Sequence, residues 1–104
     1  MRISFPDART QRVFNDYAQL EARYGAPLAV KIATRMAVLA SARHLGLVPR
    51  RPPIRLRSSE SDGQFTVDLS PPRRLRFSVL NGQLSSQNDV DEAAVEEIEV
   101  IGVD

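Results

Sequence analysis

The chain contains no cysteine, no tryptophan and a single histidine, His44. Without thiols it can form no disulfide, no thiolate zinc site and no cysteine nucleophile. One histidine rules out a His-rich metal centre and argues against a Ser-His-Asp triad. No strand-borne Gly-x-Ser-x-Gly and no Gly-rich phosphate loop is present. No apolar run approaches the roughly 18 residues needed to span a bilayer. The opening Met1-Arg2-Ile3-Ser4-Phe5-Pro6 lacks the apolar stretch of a secretory leader. The expectation is therefore a cytoplasmic protein with no membrane partner. Lysine is also nearly missing: 13 of the 14 basic residues are arginine, and Lys31 is the exception.

What is present is an ordinary globular composition. The 104 residues are 42% hydrophobic and 26% charged, which suits one domain, residues 1–104, with one modest core. The formal charge of +1 hides a strong asymmetry. Residues 1–57 carry 11 basic residues against Asp7, Asp16 and Glu21, a balance of +8. Residues 58–104 carry Arg73, Arg74 and Arg76 against 10 acids, a balance of −7. Two readings stand side by side: an anionic partner, or halves that pair with each other in the fold. The arginine excess favours bidentate phosphate recognition, although a GC-rich genome raises arginine over lysine as well.

Periodicity lays out the elements. Arg2-Ile3-Ser4-Phe5 alternates as a short strand, and Pro6-Asp7 ends it with Asp7 placed to cap a helix. Val13, Phe14, Tyr17, Leu20 and Tyr24 recur at helical spacing, and Gly25 stops the run. Pro27 opens a second helix whose Leu28, Ala29, Ile32, Met36, Leu39 and Ala40 share a face. The two helices form a hairpin. The prolines of residues 46–53 forbid further helix. The period then changes to 2 in Ile54–Arg57, in Phe65–Leu69 and in Leu75–Val79, with Ser70-Pro71-Pro72-Arg73 as a hairpin turn. Asn81–Ala94 reads as a polar loop that opens on Asn81-Gly82 and carries a helical turn near its end. Ile98–Val103 is a last, more apolar and central strand. The sum is α+β, ordered β-α-α-β-β-β-β, with a helical hairpin on one face of a mostly antiparallel sheet.

The arginines are the leading functional candidates. Arg55 and Arg57 alternate with Ile54 and Leu56; Arg74 and Arg76 alternate with Leu75 and Phe77. If the apolar partners face the helices, these arginines share the open sheet face, with Arg73 at the hairpin mouth. Packed guanidinium groups repel one another, and an RNA backbone would relieve that repulsion. The opposing reading is that Asp68, Glu97 and Glu99 neutralise them. Glu96, Glu97 and Glu99 read as a solvated acidic face rather than an acid/base pair or a metal site. His44 reads as a helix-capping residue. Lys31 and Arg35, like charges one helical turn apart, read as a partner contact or a solvated pair. Tyr17 and Tyr24 read as core or core-edge residues, Phe65 and Phe77 as core.

Three segments carry a resemblance: Gly63-Gln64-Phe65-Thr66-Val67-Asp68-Leu69, Pro72-Arg73-Arg74-Leu75-Arg76-Phe77, and Ile98-Glu99-Val100-Ile101-Gly102-Val103-Asp104. Together they resemble the core strands of HigB-type proteic killer toxins, in the RelE/ParE superfamily of type II toxin–antitoxin systems. The resemblance covers nearly the whole chain as a pattern of strand signatures. It implies a ribosome-dependent mRNA endonuclease, with the RNA 2′-OH as nucleophile, held inactive by an antitoxin encoded by a neighbouring gene. Arg57 matches a family lysine, Arg74 a strand arginine and Asp104 the Asp of a closing Val-Asp-Tyr-His, so the resemblance implies catalytic roles for Arg57, Arg74 and Asp104. Arg55, Arg73 and Arg76 are the expected RNA-binding residues. No metal and no cofactor is expected. The acidic stretch Asp89–Glu99 is a candidate antitoxin contact.

The sequence also departs from the family. A histidine of the family is replaced near Ile54, an aromatic is replaced by Arg73, and the closing Tyr-His has no counterpart in these residues. Loss of such acid/base groups would slow proton transfer by roughly 10²–10⁴-fold. Two alternatives accompany the enzyme reading: a weakened or inactive toxin homologue that acts as an antitoxin-binding module, and a ParE-like gyrase inhibitor.

Overall fold

A computed structural model describes residues 1–59, 63–80 and 90–104. Three helices, α1 (Ala8–Asn15), α2 (Tyr17–Tyr24) and α3 (Ala26–Ser41), pack against a sheet of five strands. The strands are β1 (Arg2–Ser4), β2 (Arg57–Ser58), β3 (Gln64–Asp68), β4 (Arg74–Val79) and β5 (Glu97–Val103). Their order is β1-β5-β4-β3-β2. All pairs are antiparallel except β1 with β5, which run parallel. The sheet is thus mixed. β5 is an interior strand, and β4 holds the centre.

The α+β class agrees with the sequence reading, but the helical hairpin is corrected to three helices. The break falls at Asp16, whose extended backbone ends α1 and begins α2. Its carboxylate accepts from the Ala18 N–H at 3.0 Å. Asp competes with the helical backbone in this way, which is why it favours caps over helix interiors. The break also splits the apolar stripe. Leu20 is buried and Val13, Phe14 and Tyr24 are half-buried, but Tyr17, expected in the core or at its edge, is 46% exposed. Asp7 caps α1 as expected, its Oδ1 accepting from the Thr10 N–H at 2.7 Å. Gly25, with φ near +85°, joins α2 to α3 and donates its N–H to the Glu21 carbonyl at 2.8 Å. A side chain would be strained in that conformation.

On α3, Ala29, Ile32 and Leu39 are buried and Leu28 and Met36 half-buried, whereas Ala40 faces solvent. They meet an apolar sheet face built from Phe65, Val67, Leu75, Phe77, Ile98 and Val100, all buried. Phe65 and Phe77 stand opposite each other on β3 and β4, with their rings stacked at 6.1 Å. The other end of the core is closed by Leu45 and Val95, on or beside two 3₁₀ turns at Leu45–Leu47 and Glu92–Ala94.

The expected strand over Ile54–Arg57 is shorter than its alternation implied. Pro52 and Pro53 have no N–H to give to a ladder. Instead, the Ile54 and Arg55 N–H groups both donate to the Arg51 carbonyl, and Leu56 donates to that of Pro49. Arg55 accordingly takes φ near 50°. Ile54 and Leu56 are nonetheless buried as expected. The 70–73 hairpin forms, with Arg73 donating to Ser70 and Leu69 to Arg73. β5 carries a bulge opposite Arg76 and Phe77: Arg76 faces Gly102 while Phe77 faces Val100, which leaves Ile101 as the additional residue. The Asn81-Gly82 turn pair, Asp89, and part of the Ser58–Gly63 link lie outside the described residues. Among the described residues no helix is long and apolar enough to cross a membrane.

Candidate nucleic-acid interface

Strand register places the polar side chains of β2 to β5 on the sheet face opposite the core. Arg57 faces Thr66, which faces Arg76. One row further on, Asp68 faces Arg74. The period of 2 that buries Phe65, Val67, Leu75 and Phe77 therefore gathers these residues on the other side.

Asp68 is the centre of the group. Its side chain is only 5% exposed and three arginines surround it. Arg57 Nη2 donates to Oδ1 at 2.6 Å. Arg55 Nε lies 3.8 Å from Oδ2, and Arg74 Nε lies 3.8 Å from Oδ1. Arg55 reaches this point from outside a strand, because its left-handed backbone turns it toward β3. In the next row Thr66 stands between Arg57 and Arg76. Thr66, in the middle of a polar face, is buried. The Arg57 Nε is itself buried and makes no hydrogen bond among the described residues.

A second group adjoins the first. Arg76 donates from Nε and Nη2 to both carboxylate oxygens of Asp104, at 3.1 and 2.5 Å. Its Nη1 donates to Ser59 and Gln64. Arg73 Nε donates to the Asp104 backbone carbonyl at 2.8 Å. The Arg76 hydrogen bond holds the Asp104 carboxyl below the usual carboxylate range, with burial opposing it and the charges of Arg76 and Arg74 adding to it. The six residues expected from the sequence thus fall into two adjoining clusters: Arg55, Arg57 and Arg74 on Asp68, and Arg73 and Arg76 on Asp104. Asp68 supplies the neutralisation weighed in the sequence. Glu97 is paired with Arg2 at the far edge instead. The five arginines outnumber the two carboxylates they bind, and Glu99, on the same face by register, stands opposite Ser78 of β4.

Depressed carboxyls make stability depend on pH in a definite direction. Asp7 is also held below its ordinary value, mainly by the Thr10 backbone hydrogen bond. Both groups bind protons more weakly folded than unfolded. Their contribution is present above the ordinary value of 3.8 and is lost as pH falls through the folded values. The denaturation midpoint is expected to be flat from about pH 7 to 5 and to fall below about pH 4. Asp7→Asn and Asp104→Asn should each flatten that acid limb in urea titrations.

Arg35 was not among the site residues expected from the sequence. It is buried on α3, and its Nε donates to the Asp68 backbone carbonyl at 2.7 Å. It is neither a partner contact nor solvated, so it ties the helical layer to the strand that carries the central acid. A signal was available: Ile32, Arg35, Met36 and Leu39 share one helical face by spacing. His44 does not cap α3; it stands at the N-terminal cap position of the Leu45–Leu47 3₁₀ turn, with its carbonyl accepting from Leu47 and its side chain making no cap bond. α3 ends at Ser41, and the His44 Nδ1 is buried without a hydrogen bond, its ring packed close to Gly46. No imidazole and no phenol is carried by the five strands. Among the described residues no cluster of acids and histidines could hold a metal. The chain matches no protein-family model, no curated protein and no solved structure.

Proposed function

We propose that this chain is the toxin of a type II toxin–antitoxin system, a cytoplasmic ribosome-dependent mRNA endonuclease whose arginine face grips the RNA backbone. The observation that carries this reading is the gathering of Arg55, Arg57, Arg73, Arg74 and Arg76 on one polar sheet face with two carboxylates to share. Paired arginines held in place by a buried acid are preorganised donors. They can exchange part of that pairing for phosphate oxygens at little ordering cost. In the proposed reaction the RNA 2′-oxygen bonds to the adjacent phosphorus as the bond from phosphorus to the 5′-oxygen breaks, and the leaving 5′-oxygen takes a proton from water. Arg57 and Arg74 stabilise the added charge on the phosphoryl oxygens. Asp104, held ionised by its bond to Arg76, is assigned in this reading to accept the 2′-OH proton. Its depressed pKa makes it a weak base.

That last point favours a second reading, an antitoxin-binding module with little or no cleavage of its own. Primer extension on mRNA in a translating system separates the two. Cuts that require ribosomes, and that fall about 100-fold or more in Arg57→Glu and Arg74→Glu, are expected for the endonuclease. No cuts from folded protein, with capture of the product of the neighbouring gene retained, identify the module.

A further inference from the structure

A second cationic site lies on the opposite flank of the sheet. β1 accompanies β5 only from Glu97 to Glu99. On that flank Val100 is buried, and the half-buried Ile101–Val103 has no strand beside it among the described residues. The chain turns away at Pro6, and α1 and α2 border the gap. There a cavity of about 200 Å³ is lined by Arg9, Thr10, Val13 and Phe14 of α1, Arg23 and Tyr24 of α2, and Ile101–Val103 of β5. Both arginines are exposed; neither makes a salt bridge among the described residues, and the charge of Arg9 also acts on Asp7, the cap of its own helix. The Arg23 guanidinium sits 5.7 Å from the centre of the Tyr24 ring, which orders it beside the cavity.

Three features fix the class of ligand. The cavity is smaller than the roughly 300–1,000 Å³ of small-molecule sites, so it suits one side chain rather than a whole metabolite. The Tyr24 ring already carries Arg23 on its face, which leaves it poorly placed to stack a nucleobase. An unaccompanied strand edge next to the cavity offers main-chain donors and acceptors in a row. We infer that the Ile101–Val103 edge of β5 takes an extended peptide as an added strand, with a carboxylate side chain of that peptide held between Arg9 and Arg23. The partner is an acidic segment of alternating apolar and acidic residues, because strand addition presents every second side chain to the same side. This inference does not rest on the RNA reading and involves other residues.

The test uses a fluorescein-labelled peptide of three Val-Glu repeats, titrated against the full chain without RNA or ribosomes. Binding is expected. It should weaken at least about tenfold for the Val-Gln repeat peptide and for Arg9→Gln or Arg23→Gln, since each removes a charge-assisted hydrogen bond. A Val-Glu peptide N-methylated at alternate residues should weaken similarly, with the protein itself unchanged. Amide chemical shifts should move at Ile101, Gly102 and Val103. The inference is overturned if no peptide binds, if the Val-Gln peptide binds equally, or if the shifts fall on Arg57 and Arg74. A dimer in sedimentation that excludes the peptide would overturn it too, by assigning the edge to a second copy.

Discussion

Asp68→Asn is expected to cost about 2 kcal/mol of folding stability while raising affinity for polyanions. Removing one member of a buried ion pair costs about 3–5 kcal/mol. The Asp68 carboxylate is buried, but its partners are not: the side chains of Arg55, Arg57 and Arg74 are 50, 37 and 41% exposed. They can turn partly to water, which lowers the penalty to about 2 kcal/mol. Asparagine keeps the shape and leaves three guanidinium groups around a neutral amide. Phosphate or sulfate should then restore part of the loss. A short oligoribonucleotide should bind more tightly than to the parent chain, with a steeper dependence on salt. Urea denaturation with and without phosphate, and binding at several salt concentrations, read both effects. Unchanged stability together with unchanged RNA affinity would remove Asp68 from the centre of the site.

Phe77→Ala should have a larger effect and a different character. Phe77 is fully buried at the middle of β4, between β3 and β5, and stacks on Phe65. Truncating such a residue costs about 3–5 kcal/mol through lost transfer energy and the cavity left behind. A domain of this size has about 5–15 kcal/mol in all, so the variant should be near the edge of folding at 37 °C. Phe77→Leu, which conserves most of the volume, should lose less than about 1.5–2 kcal/mol. Thermal denaturation of both variants checks the pair. A small loss for alanine would mean that the core between α3 and the sheet closes over the gap.

The α+β class was legible because period 2 and period 3.6 occupy separate stretches of the chain. Phe65, Val67, Leu75 and Phe77 are buried where the alternation put them, and Arg74 and Arg76 lie on the other face for the same reason. The break at Asp16 was not read, since the stripe from Val13 to Tyr24 continues across it, and only the local competition of the Asp16 carboxylate for an N–H decides the matter. The parallel β1–β5 pair was beyond periodicity, which carries no information on strand order. The site was legible as a set of arginines but not as a structure. The role of Asp68 depends on cross-strand register, and that of Arg35 on a backbone carbonyl 33 positions away.

The place of β5 has a consequence for how the molecule comes into being. β5 lies between β1 and β4, which are both made before it. A nascent chain that has emerged as far as β4 holds two sheet pieces with nothing to join them. Closing them requires contacts between residues as distant as Ile3 and Ile98, the long-range kind that slows folding. The bond between Arg76 and Asp104 forms only when that last segment arrives. Arg73 and Arg76 are thus fixed in place only as β5 closes the sheet, so the ordering of the second arginine cluster and the completion of the fold are one event.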